Sequence, residues 1–153
     1  MKHENIAEEA IALTSQELKK FLTISIDNEI YGIDIEHVND INRIQEITEV
    51  PNQDHYVMGI INLRGQIVPV IDIRRRFIKN EIEYDDRTCI IVIRYEENIV
   101  GLIVDRVVEV LSIPISLLTK TESNDQKSKF IMGITKYNDQ IITLLDIERI
   151  LFD

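Results

Sequence analysis

From Leu22 onward the apolar positions recur with a period of two. Leu22, Ile24 and Ile26 alternate with Thr23 and Ser25, and Tyr31, Ile33 and Ile35 alternate with Gly32 and Asp34. Side chains on a strand point to opposite faces in turn, so this spacing predicts two strands with one apolar face each. Asp27-Asn28-Glu29 between them supplies a turn, with Asn tolerant of positive φ. The stretch 45–55 is polar and ends in Pro51-Asn52-Gln53-Asp54, a loop, and 55–59 reads as one helical turn. Ile60 to Leu63 and Gln66 to Ile71 flank Arg64-Gly65, a tight hairpin. Pro69 has no N–H to give to a ladder, so it predicts an edge or a bulge. Asp72 is placed to cap a short helix over Ile73 to Ile78.

The plan then repeats. Strands are predicted over 89–95 and 99–105 around the turn Glu96-Glu97-Asn98, followed by the apolar run Val107 to Ile113, which Pro114 ends. Strands 131–137 and 140–145 flank Asn138-Asp139, and Asp146 caps a final helix with Ile147, Ile150 and Leu151 as its buried stripe. Between them, Lys120 to Lys129 holds no apolar residue and reads as a mobile loop. Ahead of all this, Ile6, Ala10, Leu13 and Leu18 form a thin stripe. It predicts a short helix within 4–19 or a frayed tail, with the folded part starting near residue 18.

Met58-Gly59-Ile60, Gln66-Ile67 and Asp72-Ile73 match Met132-Gly133-Ile134, Gln140-Ile141 and Asp146-Ile147 with no insertion. Ile30-Tyr31-Gly32-Ile33 matches Ile99-Val100-Gly101-Leu102 more loosely. The chain is therefore a duplication, with repeats of about 18–88 and 89–153. Several strands are apolar on both faces: Ile67 to Ile71, Ile90 to Ile93, Leu102 to Val104 and Ile141 to Leu145. A strand facing water should alternate. The expected fold is mainly β: two five-stranded barrels of SH3-like or OB-like kind with short capping helices. One face of each doubly apolar strand fills a barrel. The other meets the sister barrel, a helix or another protein.

Composition narrows the functions. The chain has 153 residues, 17 basic and 27 acidic, for a net charge of −10. Phosphate neutralisation dominates nucleic-acid affinity, so this balance argues against a nucleic-acid partner and against an anionic membrane surface. Arg74-Arg75-Arg76 with Lys79 is the basic exception and reads as a solvated face. No stretch approaches the roughly 18 apolar residues of a membrane span, and no signal peptide is visible, so a cytoplasmic protein without membrane insertion is expected. Cys89, the one cysteine, lies in an apolar run and reads as a small core residue.

Candidate chemistry is sparse. His3, His37 and His55 form no metal-binding spacing, and no Gly-rich phosphate loop or Gly-x-Ser-x-Gly elbow occurs. Asp72 and Asp146 hold equivalent places and read as helix caps, and Asp105 as a turn residue. No catalytic residue, metal or cofactor is assigned, and an enzyme is not expected. What stands out is Asn62-Leu63-Arg64-Gly65, whose counterpart Lys136-Tyr137-Asn138-Asp139 lacks the arginine. Divergence at a hairpin tip on a retained scaffold marks a grafted function. Arg64 is suited to a carboxylate such as Asp40 or to an acidic partner helix.

Tyr31-Gly32-Ile33-Asp34-Ile35, Val38, Asp40-Ile41, the run Gly59 to Gly65, and Ile67 to Arg74 resemble the CheW chemotaxis coupling proteins. Val100 to Asp105 with Val107 and Val110-Leu111 extends the match, which covers residues 18–152. The resemblance implies two barrels with strands exchanged between them and no catalytic activity. It implies a cytoplasmic adaptor at membrane-associated receptor arrays. Such an adaptor bridges the cytoplasmic tip of methyl-accepting chemotaxis receptors and the regulatory domain of the histidine kinase CheA, with further CheW copies in rings. It carries receptor binding onto Val38, Asp40 and Arg64, although members often have Glu where Asp40 stands. Val107, Val110, Leu111 and Ile113 are candidates for the kinase contact. The rival readings are an adaptor for another receptor–kinase pathway and an OB-like binding module.

Overall fold

The computed structural model describes residues 17–120 and 128–153. The strands are β1 (Leu18–Ile26), β2 (Glu29–Asp34), β3 (Val38–Arg43), β4 (Val57–Leu63), β5 (Gln66–Asp72), β6 (Cys89–Tyr95), β7 (Asn98–Val104), β8 (Arg106–Pro114), β9 (Thr119–Lys120), β10 (Ile131–Tyr137) and β11 (Gln140–Leu145). Helices α1 (Ile73–Arg76) and α2 (Ile147–Phe152) follow β5 and β11.

Each sheet is a composite of the two repeats. The six-stranded sheet runs β8-β1-β2-β11-β10-β9 and the five-stranded sheet β3-β6-β7-β5-β4. The exchange is made by two parallel contacts: β11 beside β2, with Leu144 opposite Gly32, and β5 beside β7, with Val70 opposite Gly101. Gly32 and Gly101 are repeat equivalents. A Cβ on Gly32 would approach Leu144 to 3.0 Å, and one on Gly101 would come within 2.8 Å of Ile90. The exchange expected from the family resemblance is therefore present.

Three cores account for the doubly apolar strands except at Ile67 and Ile141, which are exposed. On β6, Ile91 and Ile93 enter a central cluster that both sheets share, while Ile90 and Val92 enter a cluster confined to the five-stranded sheet. On β11, Leu145 joins the shared cluster and Ile142 and Leu144 join Phe21 and Ile113 inside the six-stranded sheet. The second apolar face thus meets the sister sheet. Burial of this kind contributes about 1.5–3 kcal/mol per large apolar side chain.

The repeat also fixes how β4 and β10 begin. Gly59 has φ +141°, and a Cβ there would lie 2.0 Å from the carbonyl oxygen of Thr48. Thr48 exchanges two hydrogen bonds of 2.9 Å with Ile60. At Gly133 the corresponding approach is to Thr119 on β9, at 2.6 Å. The glycines admit a neighbouring backbone, and this is why Val57 to Gly59 is strand and not the expected helical turn.

Other expectations shift. The sheets number six and five strands, and among the described residues neither ladder closes on itself: β3 and β4 remain separate edges of the five-stranded sheet. Leu18 and Lys19 belong to β1, not to a helix, Glu17 is in no regular element, and residues 4–16 of the expected N-terminal helix lie outside the described residues. Of the polar stretch 120–129, residues 121–127 are likewise outside them, and Ser128–Phe130 is a 3-10 turn that buries Phe130. Pro69 precedes the parallel ladder, which starts at Val70, so it sits where β5 is locally unpaired on that side. Helix α1 ends at Arg76, two residues early, and Ile78 follows at φ +58°.

The basic run is not a solvated face. Arg74 and Arg76 are buried. Arg74 lies between two strand ends, donating from Nε and Nη2 to Asp105 at 2.7 and 2.6 Å and from Nη1 to the Asn80 carbonyl at 2.9 Å. Arg76 donates to the carbonyls of Ile150 and Arg149 at the end of α2. Its guanidinium lies 4.3 Å from the Tyr56 ring centre and 4.6 Å from that of Phe130. Both arginines fasten one repeat to the other.

Candidate functional site

The hairpin β4–β5 turns at Arg64 and Gly65 with φ +52° and +85°. Asn62 Oδ1 accepts from the Gly65 N–H at 2.9 Å and holds the tip. A left-handed conformation costs a residue with a Cβ about 1–2 kcal/mol, so the arginine occupies its place against local preference. The sister tip has the same left-handed pair at Asn138 and Asp139, where Asn and Asp suit the geometry better.

Arg64 projects back across the open side of the five-stranded sheet. Its Nη2 is 3.3 Å from Asp40 Oδ2, with the Arg64 side chain 86% exposed and that of Asp40 31%. Asp40 Oδ1 accepts from the Ile41 N–H at 2.9 Å, which fixes the carboxylate. Asp40 is on edge strand β3 and Arg64 at the end of edge strand β4. The ion pair therefore spans the gap that the backbone ladder leaves unclosed. Aspartate at position 40 reaches the guanidinium.

Val38 lies across a bulge from Asp40 and is half-buried against the shared core, as is Val107 on β8. Strands β3 and β8 are the edges of different sheets, so Val38 and Val107 approach the seam from its two sides. The other candidates on β8 separate from them. Val110 is 52% exposed, Leu111 packs on the cluster inside the six-stranded sheet, and Ile113 is fully buried in it. Ile113 has no side-chain surface to offer a partner. The structure thus brings Val38, Asp40 and Arg64 to one edge, places Val107 toward the Arg43 end of β3, and does not bring Leu111 or Ile113 to that edge.

At the far end of β3 lies a feature that local sequence gives no sign of. Arg43, Asp86, Arg87, Cys89, Arg106 and Val107 line a cavity of about 350 Å³. Its residues come from three separate segments, joined because Cys89 pairs with Arg43 on β3 and with Val104 at the end of β7. Cys89 is half-buried and not enclosed, its Sγ 3.3 Å from the Arg87 carbonyl.

The electrostatics behind this edge is structural. Burial pushes the Asp105 carboxyl up, but the hydrogen bonds from Arg74 and the Asp27 N–H and the Arg74 charge outweigh it and hold the carboxyl below its ordinary value. Asp72 and Asp146 do cap their helices, accepting from Arg74 N–H at 2.9 Å and Arg149 N–H at 3.2 Å. Asp72 also accepts from the Tyr84 hydroxyl at 2.7 Å, and burial with that hydrogen bond raises Tyr84 well above a free phenol. Among the described residues no cluster of His, Cys, Asp and Glu could hold a metal ion, and no helix is long and apolar enough to cross a membrane.

Two duplicated sheets with exchanged strands, an ion-paired tip and an apolar seam between sheet edges define a scaffold that works by binding. The family model for the CheW-like domain matches residues 20–153. The chain is 35% identical over 138 residues to the chemotaxis protein CheW of Thermotoga maritima, covering 88% of this chain and 89% of that protein. It is 33% identical to those of Klebsiella aerogenes and Bacillus subtilis, covering 87% of this chain in each case and 81% and 86% of those proteins. The crystal structure of scaffolding protein TtCheW from Thermoanaerobacter tengcongensis superposes with a TM-score of 0.80 at 33% identity, covering 85% of this chain and 90% of that one. The chain belongs to the CheW family, and its role is that of a chemotaxis adaptor.

Proposed function

We propose that this chain couples chemoreceptors to the histidine kinase CheA, with the receptor's cytoplasmic helical hairpin docking along β3 and the β4–β5 tip. The observation that carries the reading is the Asp40–Arg64 pair. It joins two unpaired sheet edges, one of its members is held in a left-handed conformation, and the sister repeat lacks it. Backbone strain kept at one exposed residue supports a role in contact. Val38 supplies the apolar contact beside it. The kinase regulatory domain takes the other surface of β8, where Val110 is the exposed apolar group with Val107 and Leu111 half-buried around it. Further copies of the chain join through the same kind of contact in rings, and the adaptor works in the cytoplasm at receptor arrays.

The test is a pull-down of the purified chain against a receptor cytoplasmic fragment and a CheA regulatory domain, each alone. Binding to both is expected. Binding to neither would overturn the reading.

A further inference from the structure

We propose that Arg43, Arg87 and Arg106 form a docking surface for an acidic segment of the receptor helices; this rests on the receptor-coupling reading above and extends the contact from the Asp40–Arg64 end of β3 to its opposite end. Part of the remaining basic charge is ion-paired, and the other cations without a carboxylate partner among the described residues, such as Lys20 and Arg94, do not line the cavity where these three meet. Arg64, Arg74, Arg75, Arg149, Lys19 and Lys79 each have a carboxylate within 4.0 Å or less. Among the described residues, the side chains of Arg43, Arg87 and Arg106 make no ion pair or hydrogen bond. They nevertheless meet around one cavity, with Asp86 the one acid of its lining.

Three unpaired guanidiniums held together repel one another, and on a chain of net charge −10 such a group concentrates positive potential where the rest of the surface is negative. Guanidinium forks suit carboxylates geometrically. The setting selects a peptide over a small free anion. All three arginines are exposed on an open face, and the lining adds the half-buried Val107 and Cys89. Strand β3 leads from there through Ile41, 43% exposed, to Asp40 and Arg64. From Arg43 to Asp40 is three residues of strand, about 10 Å, the length of some two turns of helix. A helix carrying carboxylates at one end of such a span and an apolar stripe along it would satisfy both ends. Charge complementarity of this kind mainly sets orientation and encounter rate.

The experiment measures binding of the full chain to a receptor cytoplasmic fragment and, separately, to a CheA regulatory domain. The chains compared are wild type, the triple variant Arg43→Glu/Arg87→Glu/Arg106→Glu, and a milder triple Arg→Gln variant that guards against misfolding in the first. The triple charge reversal should weaken receptor binding by about tenfold or more and leave kinase binding within about twofold. Raising salt from about 50 to about 300 mM should weaken wild-type binding to the receptor and leave the Arg→Gln variant nearly unchanged. Cys89, the chain's one cysteine, lies in the cavity, and its alkylation should slow when the receptor fragment is bound. Wild-type receptor affinity in both variants overturns the inference alone, as does a loss confined to the kinase domain. Failure of the wild-type chain to bind the fragment removes the coupling reading itself, and this inference with it.

Discussion

Arg74 grips Asp105 through two parallel hydrogen bonds of 2.7 and 2.6 Å, and in doing so joins the helix of the first repeat to a strand end of the second. The Arg74 side chain is 7% exposed and that of Asp105 21%. Removing Asp105 leaves the buried guanidinium to the Asn80 carbonyl and to the largely exposed Asp27 at 3.4 Å, and breaking a buried pair in this way costs up to about 3–5 kcal/mol. Asp105→Ala should destabilise measurably, by up to that amount, in urea unfolding. Arg74→Met/Asp105→Leu should cost clearly less than the sum of the two single variants.

The same pair predicts a pH dependence. Because the Asp105 carboxyl is held below its ordinary value in the folded chain, it stabilises the fold fully above the unfolded carboxyl value of about 3.9. That contribution is lost as pH falls further, through the lowered folded value. Unfolding free energy should therefore decline below about pH 4, and the decline should be shallower in Arg74→Met/Asp105→Leu. Equal slopes would show that other carboxylates carry the acid sensitivity.

Arg64→Ala should separate function from stability. The Asp40–Arg64 pair is exposed, and such pairs contribute about 0–1 kcal/mol, so the melting transition should barely move. Receptor-dependent kinase activation in reconstituted mixtures should fall well below wild type. Full activation would count against the placement of the receptor contact.

Gly59→Ala and Gly133→Ala should rank in a fixed order. A Cβ at Gly59 would lie 2.0 Å from a backbone oxygen and faces a φ of +141°, whereas at Gly133 the nearest approach is 2.6 Å without positive φ. Both variants should lose stability, by roughly 2 kcal/mol or more at position 59 and less at 133. Thermal melts of the two proteins decide it.

Ile78 is a β-branched residue at φ +58° after the end of α1, 74% exposed. The position after a helix end favours glycine. Ile78→Gly should raise stability by about 1 kcal/mol, read as a higher urea midpoint with unchanged slope. A loss would mean that the isoleucine makes a contact worth more than its strain.

Much of this molecule was legible in the chain because strands, tight turns and caps obey short-range rules. Asp72 and Asp146 were placed as caps by spacing alone, and the two-residue turns by their Asn, Asp and Gly. The duplication and the doubly apolar strands correctly implied that one sheet meets another. What the sequence hid depends on distant partners. Arg74 and Arg76 look like any exposed basic run until the carboxylate of Asp105 and the carbonyls of α2 arrive from the other repeat. Ile113 reads as a candidate contact until Phe21 and Ile142 close over it. Arg43, Arg87 and Arg106 share no motif, and only the pairing of Cys89 with Arg43 on β3 and with Val104 on β7 makes them neighbours. At the candidate site the tip, its arginine and Asp40 as a suitable carboxylate were readable, and the fold supplied the 3.3 Å geometry of the pair.

Because β2 borders β11, the order of synthesis conflicts with the order of assembly. On the ribosome the first strands emerge long before the last, and chains grow at only about 5–20 residues per second. Strands β1 and β2 must wait until β11 has been translated before their sheet can be completed. During that interval their apolar faces lack the part of their native cover that the second repeat supplies, which makes the nascent first half a natural client for chaperones.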